Sequence, residues 1–116
     1  MLYTEILNNN RDFLALYHKG KFTASKNIVI YVRKNNLPFN RLGITAGKKI
    51  GNAVHRNRAK RLIRQVYREN ELAMPVGIDI VIVARASLCS VKSTELSQYM
   101  KEYGIPEIYR LLFDSH

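Results

Sequence analysis

The chain has 116 residues and carries 19 Lys and Arg against 9 Asp and Glu, for a formal net charge of +10. That length holds one small domain with a single core and is too short for two. The charge favours nucleic acid or an anionic membrane as partner, but no apolar run approaches the ~20 residues needed to span a bilayer. Met1 to Glu5 has neither a basic n-region nor an apolar h-region, so no signal peptide is expected. Cys89 is the single cysteine, which excludes an intrachain disulfide and fits a reducing cytosol. Charge is also unevenly placed. No acid lies between Asp12 and Glu69, a span that holds all Lys and Arg except Arg11, Arg85, Lys92, Lys101 and Arg110. Such asymmetry points to a binding surface on one side of the molecule.

In chain order, Asn8-Asn9-Asn10 reads as a helix entry, with Asp12 suited to the positive end of the helix dipole. The helix runs through Phe13 to Lys19 and stops at Gly20, a natural residue after a helix end. Phe13, Leu16 and Tyr17 share one face. A stripe of this kind is usually core, and two aromatics at i,i+4 can also offer planes to single-stranded bases. Ile28-Val29-Ile30-Tyr31-Val32 is a β-branched run that predicts a buried strand. Its period of two sends Ile28, Ile30 and Val32 one way, and Val29, Tyr31 and Arg33 the other. An apolar and a cationic neighbour beside Tyr31 would suit a nucleotide. After the loop signal Asn35-Asn36-Leu37-Pro38, a strand over Arg41–Gly47 places Leu42, Ile44 and Ala46 on one face. Gly43, Thr45 and Gly47 on its other face predict a shallow surface open to close approach.

The stretch from Lys48 to Arg68 carries Lys48, Lys49, Arg56, Arg58, Lys60, Arg61, Arg64 and Arg68 without one Asp or Glu. Asn52 is a good N-cap. Behind it, Ala59, Leu62, Ile63, Val66 and Tyr67 gather on one helical face at ~100° per residue. Asn57, Lys60, Arg61, Arg64 and Arg68 gather on the opposite face, with Arg56 and Arg58 flanking them. A merely solvated face normally mixes signs in i,i+4 pairs. Here like charges such as Lys60–Arg64 and Arg64–Arg68 destabilise the helix slightly, and a polyanion would reverse the sign of that effect. A phosphate-loop reading of Gly47–Asn52 fails, since Lys48 is followed by Lys49 instead of Ser or Thr. Mobile backbone, two lysines and a helix N-terminus that favours anions remain. Beyond the turn region Asn70–Gly77 come a buried strand, Ile78–Arg85, and a helix with Leu96, Tyr99, Met100 and Tyr103 on one face. Gly104 and Pro106 are expected to end that helix and begin a short final one.

Arg56-Asn57-Arg58 followed by Lys60-Arg61-Leu62-Ile63-Arg64, with Lys48-Lys49-Ile50-Gly51-Asn52-Ala53-Val54 ahead of it, resembles the signature of the protein subunit of bacterial ribonuclease P. The likeness extends to Asp12-Phe13, Tyr17, the Gly20 break and the strand Asp79–Arg85. One departure is the segment Met1–Asn10, which has no Lys or Arg where relatives often begin strongly basic.

The element order predicts a single α/β domain over 1–116, an α+β sandwich with a small, mostly antiparallel sheet. Its strand–basic helix–strand unit is a parallel crossover, which ordinary chirality would make right-handed. The resemblance implies instead a left-handed crossover and a fold akin to domain 2 of ribosomal protein S5. It further implies that Arg56, Asn57, Arg58, Lys60, Arg61, Arg64 and Arg68 hold a catalytic RNA, with Lys48 and Lys49 near phosphates. Phe13, Tyr17, Val29 and Tyr31 would line a cleft for the 5′ leader of precursor tRNA. As for chemistry, a metal-dependent nuclease needs clustered carboxylates, and Asp79 stands alone on its strand. His18, His55 and His116 are not at ligand spacing for zinc. The polypeptide thus reads as a binder with no catalytic or metal-ligating residue and no cofactor of its own. On the resemblance, the RNA subunit and its Mg²⁺ hydrolyse the phosphodiester in a cytoplasmic tRNA 5′-processing endonuclease, with no membrane or DNA partner. Two alternatives are a structural or ribosomal RNA-binding protein and a DNA-binding module. The second lacks a partner helix before Asn52.

Overall fold

In the computed structural model, which describes residues 1–114, the three strands expected from sequence become the inner strands of a five-stranded sheet. The chain runs β1 (Thr4–Ile6), α1 (Asn10–Lys19), β2 (Lys21–Ala24), β3 (Ile28–Lys34), β4 (Asn40–Ala46), α2 (Ala53–Asn70), β5 (Ile78–Ala84), α3 (Ser93–Tyr99) and α4 (Ile105–Phe113). The strand order is β1-β4-β5-β3-β2. β3 is antiparallel to β5 and to β2, with Tyr31 opposite both Val81 and Phe22. β4 is parallel to β5, as the crossover through α2 requires, and β1 is parallel to β4. The sheet is therefore evenly mixed, where a mostly antiparallel one was expected. The difference comes from β1, an edge strand of 3 residues that adds a second parallel ladder.

Both edge strands escape a reading by periodicity. β2 is the short run Lys-Phe-Thr-Ala, too brief to show alternation. β1 pairs with β4, and the segment leading into it is fastened by a distant carboxylate. Glu71, in the turn after α2, is buried and accepts from the amides of Leu2 and Tyr3 at 2.8 and 3.2 Å and from the Thr4 hydroxyl at 2.5 Å. Burial opposes ionisation of Glu71, but the Thr4 hydroxyl and these two amides outweigh it and hold its pKa below the ordinary glutamate value.

The main core lies on one face of the sheet. Ile28, Ile30, Val32, Leu42, Ile78, Ile80 and Ile82 pack there against Ala59, Ile63, Val66 and Tyr67 of α2, with Leu96, Met100, Ile105 and Ile108 closing the layer. A smaller core lies on the other face, where Leu16 of α1 meets Leu7 and Val81, with Phe13, Tyr31 and Val83 around them. Asn9 caps α1, its side chain accepting from the Arg11 amide at 2.8 Å. Gly20 ends that helix in extended backbone (φ −71°), so no left-handed conformation is involved. Glycine is needed because a Cβ would lie 2.6 Å from the Leu16 carbonyl oxygen.

Gly104 and Pro106 do not separate two helices. Gly104 keeps helical dihedrals, and a π-helical turn over Met100–Gly104 joins α3 to α4. The wider turn absorbs the missing Pro106 amide. Gly104 also leaves room for Met100, whose Sδ would sit 2.8 Å from an added Cβ.

Candidate nucleic-acid interface

α2 turns a cationic face to solvent because its apolar positions are committed to the core. Asn52 accepts from the His55 amide at 3.0 Å and starts the helix one residue before Ala53. Its 18 residues make a rod roughly 27 Å long. Ala59, Ile63, Val66 and Tyr67 are buried, and Leu62 packs partly against them. Asn57, Arg58, Arg61, Arg64 and Arg68 are exposed, while Arg56 and Lys60 lay their stems along the surface and are half-buried. Among the described residues, none of the arginines and lysines of α2 forms an ion pair with a carboxylate, whereas Arg33, Arg41 and Arg110 do. The acid-free run Lys48–Arg68 thus yields a helix face whose cations have no carboxylate partner among the described residues, with Glu69 following in the last turn.

The opposite face of the sheet gathers Phe13, Tyr17, Val29 and Tyr31. Tyr17 meets Tyr31 edge-on at 5.0 Å between ring centroids, and Phe13 lies 6.3 Å from Tyr17. Val29 neighbours Tyr31 at the next position on this face and pairs with Val83. A fourth ring, unanticipated from sequence, joins the row: Phe22 of β2 lies 5.7 Å from Tyr31. Its signal was present in the pairing of β2 with β3, which cannot be read until β2 is recognised. Of the small residues expected to leave this surface open, Gly47 does face open space, but Gly43 does not. A Cβ at Gly43 would stand 2.6 Å from Phe13 Cζ, so the space is filled by the protein's own ring.

Ion pairs fasten α1 above this face. Asp79 of β5 is fully buried and accepts two bonds from Arg41, at 2.8 and 2.7 Å, and one each from Arg33 and Asn35 at 2.9 Å. Asp12 of α1 reaches the same two arginines at 3.3 and 3.6 Å. Burial pushes the Asp79 pKa up, but the bonds from Arg41, Asn35 and Arg33 outweigh it and hold the pKa below the ordinary aspartate value. Arg33, expected beside Tyr31 as a cation for a nucleotide, is committed to this cluster, and Asp79 is not isolated.

A third feature lies where β4 and β5 end, the side on which parallel sheets commonly receive ligands. A cleft of about 710 Å³ is lined by Lys26, Lys48, Lys49 and Arg85 around Gly47, Ile50, Val83 and Ser87. Val83 also belongs to the aromatic face, so the cleft and the rings share a border. Lys26 and Arg85 were not singled out from sequence. The antiparallel register of β3 with β5 would have paired them, because it sets the start of one strand against the end of the other. His55 is exposed in the first turn of α2, and His18 is exposed in the last turn of α1. His116 lies outside the described residues. Cys89 is exposed in the turn after β5, its Sγ 3.6 Å from the Ile50 carbonyl oxygen.

A cationic helix on one side of a mixed sheet, aromatic rings on the other, and a lysine-lined cleft at the ends of β4 and β5 define a small α/β RNA-binding domain. The family model described as Ribonuclease P matches residues 1–104. A ribonuclease P protein component of Lachnoclostridium phytofermentans is 48% identical over 94 residues, 81% of each chain. One from Syntrophus aciditrophicus is 43% identical over 102 residues, 88% of this chain and 83% of its own. Among solved structures, the RNase P protein of Thermotoga maritima superposes with a TM-score of 0.76 at 34% identity, covering 84% of this chain and 92% of that one. The Staphylococcus aureus protein gives 0.77 at 29% identity, with 91% and 95% covered. The chain belongs to the bacterial ribonuclease P protein component family. It is thus the protein subunit of the endoribonuclease that processes the 5′ leader of precursor tRNA.

Proposed function

We propose that the two sides of the sheet divide the work of the subunit. The face of α2 that carries Arg56, Asn57, Arg58, Lys60, Arg61, Arg64 and Arg68 holds the catalytic RNA. Phe13, Tyr17, Val29 and Tyr31 receive the leader of precursor tRNA. Lys48 and Lys49, with Lys26 and Arg85 across the cleft from them, neutralise phosphates along its path. The observation that carries this reading is that the α2 cations have no carboxylate partner among the described residues, which leaves phosphate as their natural counter-charge.

The donor set of the leader face does not suit a divalent ion. Both oxygens of Asp79 are taken by Arg33, Asn35 and Arg41, and Asp12 is held by the same arginines. Mg²⁺ is therefore assigned to the RNA subunit, and the protein contributes binding and orientation. We place this work in the cytoplasm, together with the tRNA precursors it serves. The test is reconstitution with bacterial ribonuclease P RNA at low Mg²⁺. Precursor tRNA should be cleaved by the complex and left intact by the protein alone with any divalent metal. Robust cleavage by RNA-free protein would overturn the division of labour.

A further inference from the structure

We infer that Phe22 is a further leader-contacting residue, a fourth stacking platform that takes one more nucleobase of the precursor at the outer edge of the sheet. The inference deepens the leader-cleft reading and rests on it. Phe22 stands directly opposite Tyr31 in the β2–β3 ladder, so both rings rise from the same face. Phe13 lies over Gly43 of β4, Tyr17 descends from α1 onto Tyr31 of β3, and Phe22 rises from β2. The row therefore crosses the sheet to its edge, with successive centroids 6.3, 5.0 and 5.7 Å apart.

Folding gives little reason for a phenylalanine at the end of that row. Its side chain is 58% exposed, more than the 37% of Tyr17, so most of the stabilisation that burial would supply is unused. On its own face the ring borders Tyr31, with Ala24 and Val29 the next pair along the ladder. A base needs only one ring face, and stacking tolerates every base because each has a π-face. β2, β3 and β4 bring no carboxylate to this surface, and the two from Asp12 and Asp79 are neutralised by Arg33 and Arg41. The exposed Glu5 of β1 lies at the opposite edge of the sheet from β2, so a phosphodiester can run past Phe22 without meeting an unpaired acid.

The experiment uses holoenzyme reconstituted with the RNA subunit and a set of precursor tRNAs whose leaders grow by one nucleotide at a time. Affinity is measured for wild type, Phe22→Ala, Phe22→Trp and Tyr17→Ala, alongside melting curves of each protein. Phe22→Ala should lose about tenfold on long leaders and nothing on mature tRNA. Its gain of affinity with leader length should also stop one nucleotide early. Phe22→Trp should restore the wild-type profile, and the melting temperature should hardly move. A Phe22→Ala profile that superimposes on wild type, while Tyr17→Ala still loses leader-dependent affinity, would overturn the role of Phe22 and leave the cleft standing. Equal losses on precursor and mature tRNA with a lower melting temperature would also overturn it, making Phe22 structural. If neither Phe22→Ala nor Tyr17→Ala responds to the leader, the cleft reading fails and this inference fails with it.

Discussion

Asp79, under the leader face, and Glu71, beside β1, are buried carboxylates that work in the same direction on stability. Asp79 locks Arg33, Asn35 and Arg41, and through the two arginines Asp12 and α1. Glu71 holds the amides of Leu2 and Tyr3 and so the edge strand β1. Both have pKa values below those of the unfolded chain, near 3.9 for Asp and 4.3 for Glu. The folded state therefore binds fewer protons than the unfolded state in the acid range. The stabilisation is fully present above the unfolded values and is lost as pH falls through the folded ones. Thermal stability should be flat from neutral pH to about 5 and should drop below about 4. Asp79→Asn should lower neutral-pH stability by about 2–3 kcal/mol, less than the ~3–5 of a wholly buried pair because Arg33 and Arg41 remain partly open to solvent. The gap between wild type and Asp79→Asn should narrow as pH falls. Melting temperatures across pH 3–7 for both proteins decide the matter, and a gap that widens in acid would contradict the linkage.

At the scale of the element, α2 makes a salt-dependence prediction. If ~5 phosphates are neutralised, log K for the catalytic RNA should fall against log salt with a slope of roughly −3.5 to −4.5. Arg61→Ala should flatten that slope by about one unit while leaving the melting temperature alone, since Arg61 is exposed and forms no ion pair among the described residues. An unchanged slope and affinity would move the RNA to another surface. This helix was also the most legible part of the chain, because cap, apolar period and charge all agree. Asn52 caps it, Ala59, Ile63, Val66 and Tyr67 bury, and the cations stay outside. The inner strands were legible for a similar reason, their faces set by the alternation of Ile28, Ile30 and Val32 with Val29, Tyr31 and Arg33. What escaped depends on tertiary partners. β1 needs Glu71, which lies 69 residues from Leu2 in sequence. Phe22 needs the register of β2 against β3, and the fate of Gly43 needs the ring of Phe13. Gly104 and Pro106 carry ordinary stop signals, yet a π-helical turn lets the helix run on.

For the molecule as a whole, the sheet is a partition. α2 lies on the face of Ile30 and Ile80, while the rings of Phe13, Tyr17, Tyr31 and Phe22 lie on the face of Val81. No salt bridge joins α2 to α1 among the described residues, and buried strands lie between them. Mutations on the two sides share no partner, so their effects should be separable and additive to within ~0.3–0.5 kcal/mol. Arg61→Ala should weaken assembly with the catalytic RNA and leave the ratio of precursor to mature tRNA affinity unchanged once the complex is saturated with RNA subunit. Tyr17→Ala should do the reverse, weakening precursor binding by about 1–3 kcal/mol for one lost stack and sparing assembly. The double variant should show each loss at its single-mutant size. The measurement is a double-mutant cycle on two observables, the assembly constant and the precursor-to-mature ratio. A coupling above ~1 kcal/mol in either would mean that the sheet transmits between its faces, and that leader and catalytic RNA are read through one surface instead of two.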